Sequence, residues 1–120
     1  MARYTCSFVV PASVETLQQS LIEILEECKF DIIYDTGDYL MAREIPGRVA
    51  FAKLVTVEVL IDKSVATPQE LYMNFVVKNE ELPLQVDNHC HQMFQVVQSA
   101  INKKENWQLV ENVAGWTTRR

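Results

Sequence analysis

A strict alternation of residue character between positions 53 and 63 is the feature that most limits what this chain can fold into. Every second position is apolar, with Thr56, Glu58 and Asp62 on alternate positions, and the apolar set is Val55, Val57, Val59 and Ile61. A period of two is that of a β-strand with one buried face and one face in water. Residues 70–78 repeat the pattern, so the two stretches predict an antiparallel hairpin joined across residues 64–69.

Two other stretches have the period of an amphipathic helix. Residues 14–28 carry apolar side chains at steps of three and four, namely Val14, Leu17, Leu21, Ile24, Leu25 and Cys28. The second stretch follows Asp87, the expected N-cap, and its apolar set is Cys90, Met93, Phe94, Val97 and Ile101. Residues 3–10, 30–34 and 39–45 are extended in character. Residues 107–113 form either a last short strand or a segment that packs over the core.

The element order is therefore β-α-β-β-β-β-α. Each element has one apolar face to bury, which predicts an α+β fold: a mostly antiparallel sheet of about five strands with two helices on one face. We expect one domain over residues 1–116 and a frayed tail over residues 117–120. In outline the order resembles that of TATA-binding-type halves and helix-grip ligand carriers, and element order alone implies no function.

Charge and composition exclude some classes of partner. The chain has 120 residues and a formal net charge of −5, so its average field repels phosphate backbones and anionic membranes. No apolar run approaches the roughly 18 to 20 residues that span a bilayer. Three cysteines, none in a Cys-x-x-Cys arrangement, are typical of free thiols in a reducing compartment. We expect a cytoplasmic protein with no nucleic-acid partner and no membrane span.

The tripeptide Asp35-Thr36-Gly37 resembles the active-site loop of dimeric retroviral-type aspartic proteases. Such an enzyme needs two carboxylates that share a proton, and a chain this short would supply the second by dimerising. Here Asp38 follows the glycine and would add charge beside that pair. We therefore interpret the tripeptide as a hairpin turn.

The run His89-Cys90-His91 contains three side chains that can bind metals. Adjacent residues on a helix point in different directions, so they do not close on one ion without further ligands. We interpret them as solvent-facing histidines beside an inert core cysteine, and Glu80-Glu81 as solvated charge. The sequence predicts no cofactor, no metal and no catalytic residue, although a site assembled from residues distant in sequence stays open.

Two functional hypotheses follow. The first is a non-catalytic cytosolic protein-interaction module, an adaptor, chaperone-like factor or regulator, with a homodimer as one option. Its partner surface is the sheet face or the exposed side of the second helix, which is polar but uncharged and so cheaper to desolvate: His91, Gln92, Gln95, Gln98 and Asn102. The alternative is a carrier or sensor of a small apolar ligand between sheet and helices, lined by Phe8, Met41, Met73, Phe75, Met93 and Phe94.

Overall fold

The computed structural model describes residues 2–10, 14–67, 70–81, 88–104 and 108–113. The strands are β1 (Ala2–Val10), β2 (Phe30–Asp35), β3 (Tyr39–Glu44), β4 (Thr56–Thr67), β5 (Glu70–Asn79) and β6 (Gln108–Val113). The helices are α1 (Val14–Glu27) and α2 (His89–Lys104), and a short 3-10 helix, Phe51–Lys53, lies between β3 and β4.

The strands form one sheet in the order β2-β3-β4-β5-β1-β6, and every neighbouring pair is antiparallel. This confirms the predicted antiparallel α+β fold and its element order. Residues 108–113 take the first of their two predicted forms and pair with β1, so the sheet has six strands instead of about five. No helix in the described parts of the chain is long and apolar enough to cross a membrane.

The core lies between one face of the sheet and the two helices. Cross-strand pairs such as Val57 with Val77 and Val59 with Phe75 bring the alternating apolar residues of neighbouring strands onto the same face. The apolar stripes of both helices are buried against it, including Leu21 and Val97. A fully buried side chain of this size contributes about 1.5–3 kcal/mol to stability, so the alternation that predicts the sheet also specifies its core.

Three boundaries differ from the sequence prediction. The central strand begins at Thr56, because Phe51–Lys53 turn into a 3-10 helix, and it continues to Thr67, which pairs with Glu70. The loop expected over residues 64–69 is therefore mostly strand, in keeping with the β-branched residues it contains. Helix α2 begins at His89, and the Asn88 side chain caps it by accepting the His91 N–H at 2.6 Å.

Other expectations fall on residues that the structure does not describe. Asp87, the expected N-cap, and the tail over residues 117–120 both lie outside the described residues. Gly37 has φ of 95° and Gly47 has φ of 128°, a region that favours glycine.

Candidate functional site

One face of the sheet carries no described α-helix, and we call it the open face. It consists of the outward-pointing residues of four strands, which alternate with the buried ones. They are Arg3, Thr5, Ser7 and Val9 on β1, Tyr39, Met41 and Arg43 on β3, Thr56, Glu58, Leu60 and Asp62 on β4, and Tyr72, Asn74, Val76 and Lys78 on β5. Asp31 and Tyr34 of β2, opposite Arg43 and Met41, join them.

The two ends of the open face differ in chemistry. At one end Leu60 and Tyr72 are 49% and 39% exposed, and Tyr34 is 55% exposed. The Tyr34 ring lies edge-on to the Tyr39 ring, with their centroids 5.7 Å apart. At the other end the pairing register aligns Arg43, Thr56 and Lys78 in a row across three strands. One end is thus aromatic and aliphatic, and the other is charged.

Hydrogen bonds fix the polar residues between these ends. The Tyr39 hydroxyl donates to Glu58 Oε2 at 3.0 Å, and Lys78 Nζ lies 3.2 Å from Glu58 Oε1. Desolvation raises the pKa of Tyr39, and the hydrogen bond to Glu58 and the negative charge of that carboxylate raise it further. The phenol therefore stays protonated and keeps donating at neutral pH. Glu58 and Lys78 neutralise each other in this arrangement.

A groove of about 470 Å³ lies at the charged end, between the open face and the 3-10 helix. Its lining combines apolar and charged side chains, among them Met41, Arg43, Phe51, Glu58, Lys78 and Glu80. Phe51 is 77% exposed at its edge, and no residue of its short helix is buried. A large aromatic side chain held in water beside a groove is the kind of residue that anchors protein interfaces.

A buried polar cluster lies at the same end of the sheet, at the start of α2. The carboxylate of Glu81 accepts hydrogen bonds from Asn79 Nδ2 at 2.7 Å, from the Cys90 N–H at 2.9 Å and from the His89 N–H at 3.1 Å. Burial alone would raise the pKa of Glu81, but these hydrogen bonds and the nearby charge of Lys53 outweigh it and lower the pKa. Glu81 is thus an ionised cap on the positive end of the α2 dipole.

Glu44 and His89 form the second part of this cluster. His89 Nε2 lies 2.8 and 2.9 Å from the two carboxylate oxygens of Glu44, which is 2% exposed. The Val55 N–H also donates to Glu44 Oε1 at 3.1 Å. Two sequence interpretations are therefore wrong: His89 is not solvent-facing, and Glu81 is not solvated charge. The available signal was a glutamate at an inward-facing position of β3, two residues after the buried Ala42.

The residues predicted to line an internal pocket divide into two groups. Five of them, Phe8, Met73, Phe75, Met93 and Phe94, are at most 4% exposed and belong to the core, where the rings of Phe75 and Phe94 stack with centroids 6.2 Å apart. Met41 lies on the open face and lines the outer groove, so it is not between sheet and helices as predicted. The structure does not bring the six together.

The residues of the predicted partner surface on α2 differ in their surroundings. Gln92 and Gln95 line a shallow groove of about 590 Å³ between α2 and the end of α1. The His91 ring packs against the Tyr4 ring, with centroids 5.0 Å apart, so His91 is not a fully solvent-facing histidine either. Gln98 is half-buried and Asn102 is exposed. The five residues therefore share one helix but differ in exposure.

The remaining candidate chemistry has structural explanations. Asp35 Oδ1 accepts the Gly37 N–H at 3.1 Å and the Gln18 side-chain amide, as expected of a hairpin turn. Desolvation raises the pKa of the Cys90 thiol to about 12, with further contributions from Glu81 and Glu44, so this cysteine is not an activated nucleophile. Among the described residues, no group of three or more His, Cys, Asp and Glu side chains is placed to hold a metal ion.

Comparison with known proteins assigns no family. No protein-family model matches this chain, and no curated protein is significantly similar to it. The geometry described above is therefore the basis for a function.

Proposed function

We propose that this chain is a non-catalytic, cytoplasmic protein-interaction module whose partner binds the open face. The observation that carries the proposal is where the exposed large apolar side chains lie. Seven large apolar side chains among the described residues are exposed by more than a third. Tyr34, Leu60 and Tyr72 lie on the open face and Phe51 lies beside it, whereas Ile33, Ile45 and Val96 are not among its residues. Exposed apolar side chains set among polar groups are typical of a protein-binding site.

The distribution of apolar side chains supports this module over a ligand carrier. A carrier needs unfilled space between sheet and helices, whereas five of the six side chains expected to line that space are packed as core residues. The two volumes described above both lie at the surface, one beside Phe51 and one between the helices. The carrier hypothesis stays a prediction that a co-purifying small molecule would support.

Site-specific photo-crosslinking tests the proposal. A photoreactive phenylalanine analogue replaces Leu60 on the open face, or Gln19 on the outer face of α1 as the control, and the protein is irradiated in cells of its source. We expect a covalent adduct with a protein from position 60 and none from position 19. Absence of a protein adduct at position 60 would contradict the proposal. So would native mass spectrometry that finds a bound small molecule, lost on denaturation, on protein with no partner.

A further inference from the structure

We propose that the groove beside Phe51 binds a second copy of this chain, giving a two-fold symmetric dimer. The inference rests on the proposed function, because it names a partner for one end of the open face. It begins with four charged residues that line the groove: Arg43, Glu58, Lys78 and Glu80. Their charges cancel, so the whole net charge of −5 lies elsewhere on the molecule. Two copies repel each other on average, but the charges of this groove do not add to that repulsion.

The unpaired charges of the groove are complementary to each other. Glu58 and Lys78 form an ion pair within one molecule. Arg43 on β3 and Glu80 just beyond β5 are both exposed, and neither side chain has an ion pair or side-chain hydrogen bond with another described residue. Asp31 lies opposite Arg43 in the register but is not close enough to form an ion pair with it. The lining therefore offers one spare cation and one spare anion, on strands separated by β4.

Two-fold symmetry converts this pair into a self-complementary contact. In such an interface, if residue i contacts residue j of the other copy, then j contacts i in return. A two-fold axis that lies in the plane of the interface, midway between Arg43 and Glu80, places each arginine opposite the glutamate of the other copy. The two Phe51 side chains then enter the shared space between the copies, where burial of an exposed ring supplies the apolar part of the contact.

Charge reversal and its complementation test this arrangement. The molecular mass in solution is measured by sedimentation over a concentration series for the full chain, for Arg43→Glu and for Glu80→Arg. Lys103→Glu, which reverses an exposed cation on α2, is the control. We expect a dimer for the unaltered chain and for the control. Each single groove variant should raise the dimer dissociation constant at least about tenfold, because it sets like charges together twice. Circular dichroism confirms that each variant is folded.

An equimolar mixture of the two single variants provides the decisive measurement. In the mixed dimer the two introduced side chains, one acidic and one basic, face each other. The native Glu80 of one copy faces the native Arg43 of the other, so both contacts are again of opposite sign. We therefore expect the mixture to recover dimers, as should the double variant Arg43→Glu/Glu80→Arg. A monomeric unaltered chain overturns the inference, as does a dimer that is indifferent to both reversals or a mixture that stays monomeric. With any of these results, crosslinking of a different protein from position 60 would still support the proposed function.

Discussion

Replacing the buried Glu81 by glutamine is expected to destabilise the fold by about 1–4 kcal/mol at neutral pH. Glutamine keeps one acceptor oxygen, which can retain the bonds from Asn79 Nδ2 and the Cys90 N–H. Its amide group would then face the His89 N–H, now bonded to Glu81 Oε2. An unsatisfied buried donor costs about 1–3 kcal/mol, and loss of the negative charge at the start of α2 costs about 0.3–1 kcal/mol more.

Urea unfolding followed by circular dichroism measures this difference as a change of midpoint at constant slope. Glu26→Gln removes the same charge from an exposed position on α1, and we expect it to change the free energy of unfolding by less than about 0.5 kcal/mol. A midpoint for Glu81→Gln that equals that of the control would refute the assignment of Glu81 as the cap of α2.

The same pair of proteins gives a pH dependence with a defined sign. The pKa of Glu81 is lowered in the folded state from its ordinary value of 4.5, so the carboxylate contributes its full stabilisation above that value. The contribution is lost as the pH falls through the folded-state pKa. The stability difference between the unaltered chain and Glu81→Gln should therefore be constant near neutrality and shrink in acid. A difference that does not change with pH would mean that the charge is not responsible.

Three further changes test the core, the thiols and the helix surface. Val57→Asp places an unpaired charge at a fully buried position, a cost of several kcal/mol, so a soluble protein that melts cooperatively would contradict the core assignment. Native Cys6 and Cys90, whose pKa values burial raises to about 12, should react with a thiol reagent at pH 8 at least about 100-fold more slowly than in denaturant. Gln95→Arg on α2 should leave both stability and dimer formation unchanged. If this variant dimerised more weakly, the interface would lie on α2 and not at the groove.

Local patterns predict this fold well because each pattern reports one face of one element. The alternation around Val57 specifies which side chains are inward, and the antiparallel partner of that strand is its neighbour in sequence, so the strands, their pairing and the core follow together. The buried polar cluster could not be predicted in this way. Glu44 and His89 are 45 residues apart, and a glutamate within a strand or a histidine at a helix start is ordinarily a solvated residue. Only the packing of α2 against the end of β3 makes them partners.

The open face presents the same difficulty in a different form. Periodicity places Met41 on one side of its strand, but it does not say which side the helices cover, and so the sequence prediction puts Met41 in the interior. Phe51 gives no signal either, because it lies in an irregular connection where no periodicity applies. Its role follows only from its exposure and from the groove beside it.

Asn79 connects the buried polar cluster to the 3-10 helix that carries Phe51, the exposed aromatic residue beside the groove. Asn79 Nδ2 donates to the Lys53 carbonyl oxygen at 3.0 Å as well as to Glu81, and Lys53 ends the 3-10 helix that carries Phe51. Asn79→Ala removes the hydrogen bond to the Lys53 carbonyl oxygen. Phe51 would then have to be ordered when the dimer forms, and that ordering costs affinity. We therefore expect the dimer dissociation constant to rise about two- to tenfold. The measurement is sedimentation at a temperature where the variant is folded.

Asn102→Ala, at an exposed position on α2, is the matched control for this change and should leave the dimer dissociation constant as it is. If Asn79→Ala dimerises as tightly as the control, the tie to Lys53 does not order Phe51 for binding. If it dissociates more readily while Gln95→Arg does not, the polar cluster serves two purposes. It satisfies the start of α2 on the inner side of the sheet, and it fixes the 3-10 helix on the outer side, so that the position of Phe51 depends on the buried polar cluster.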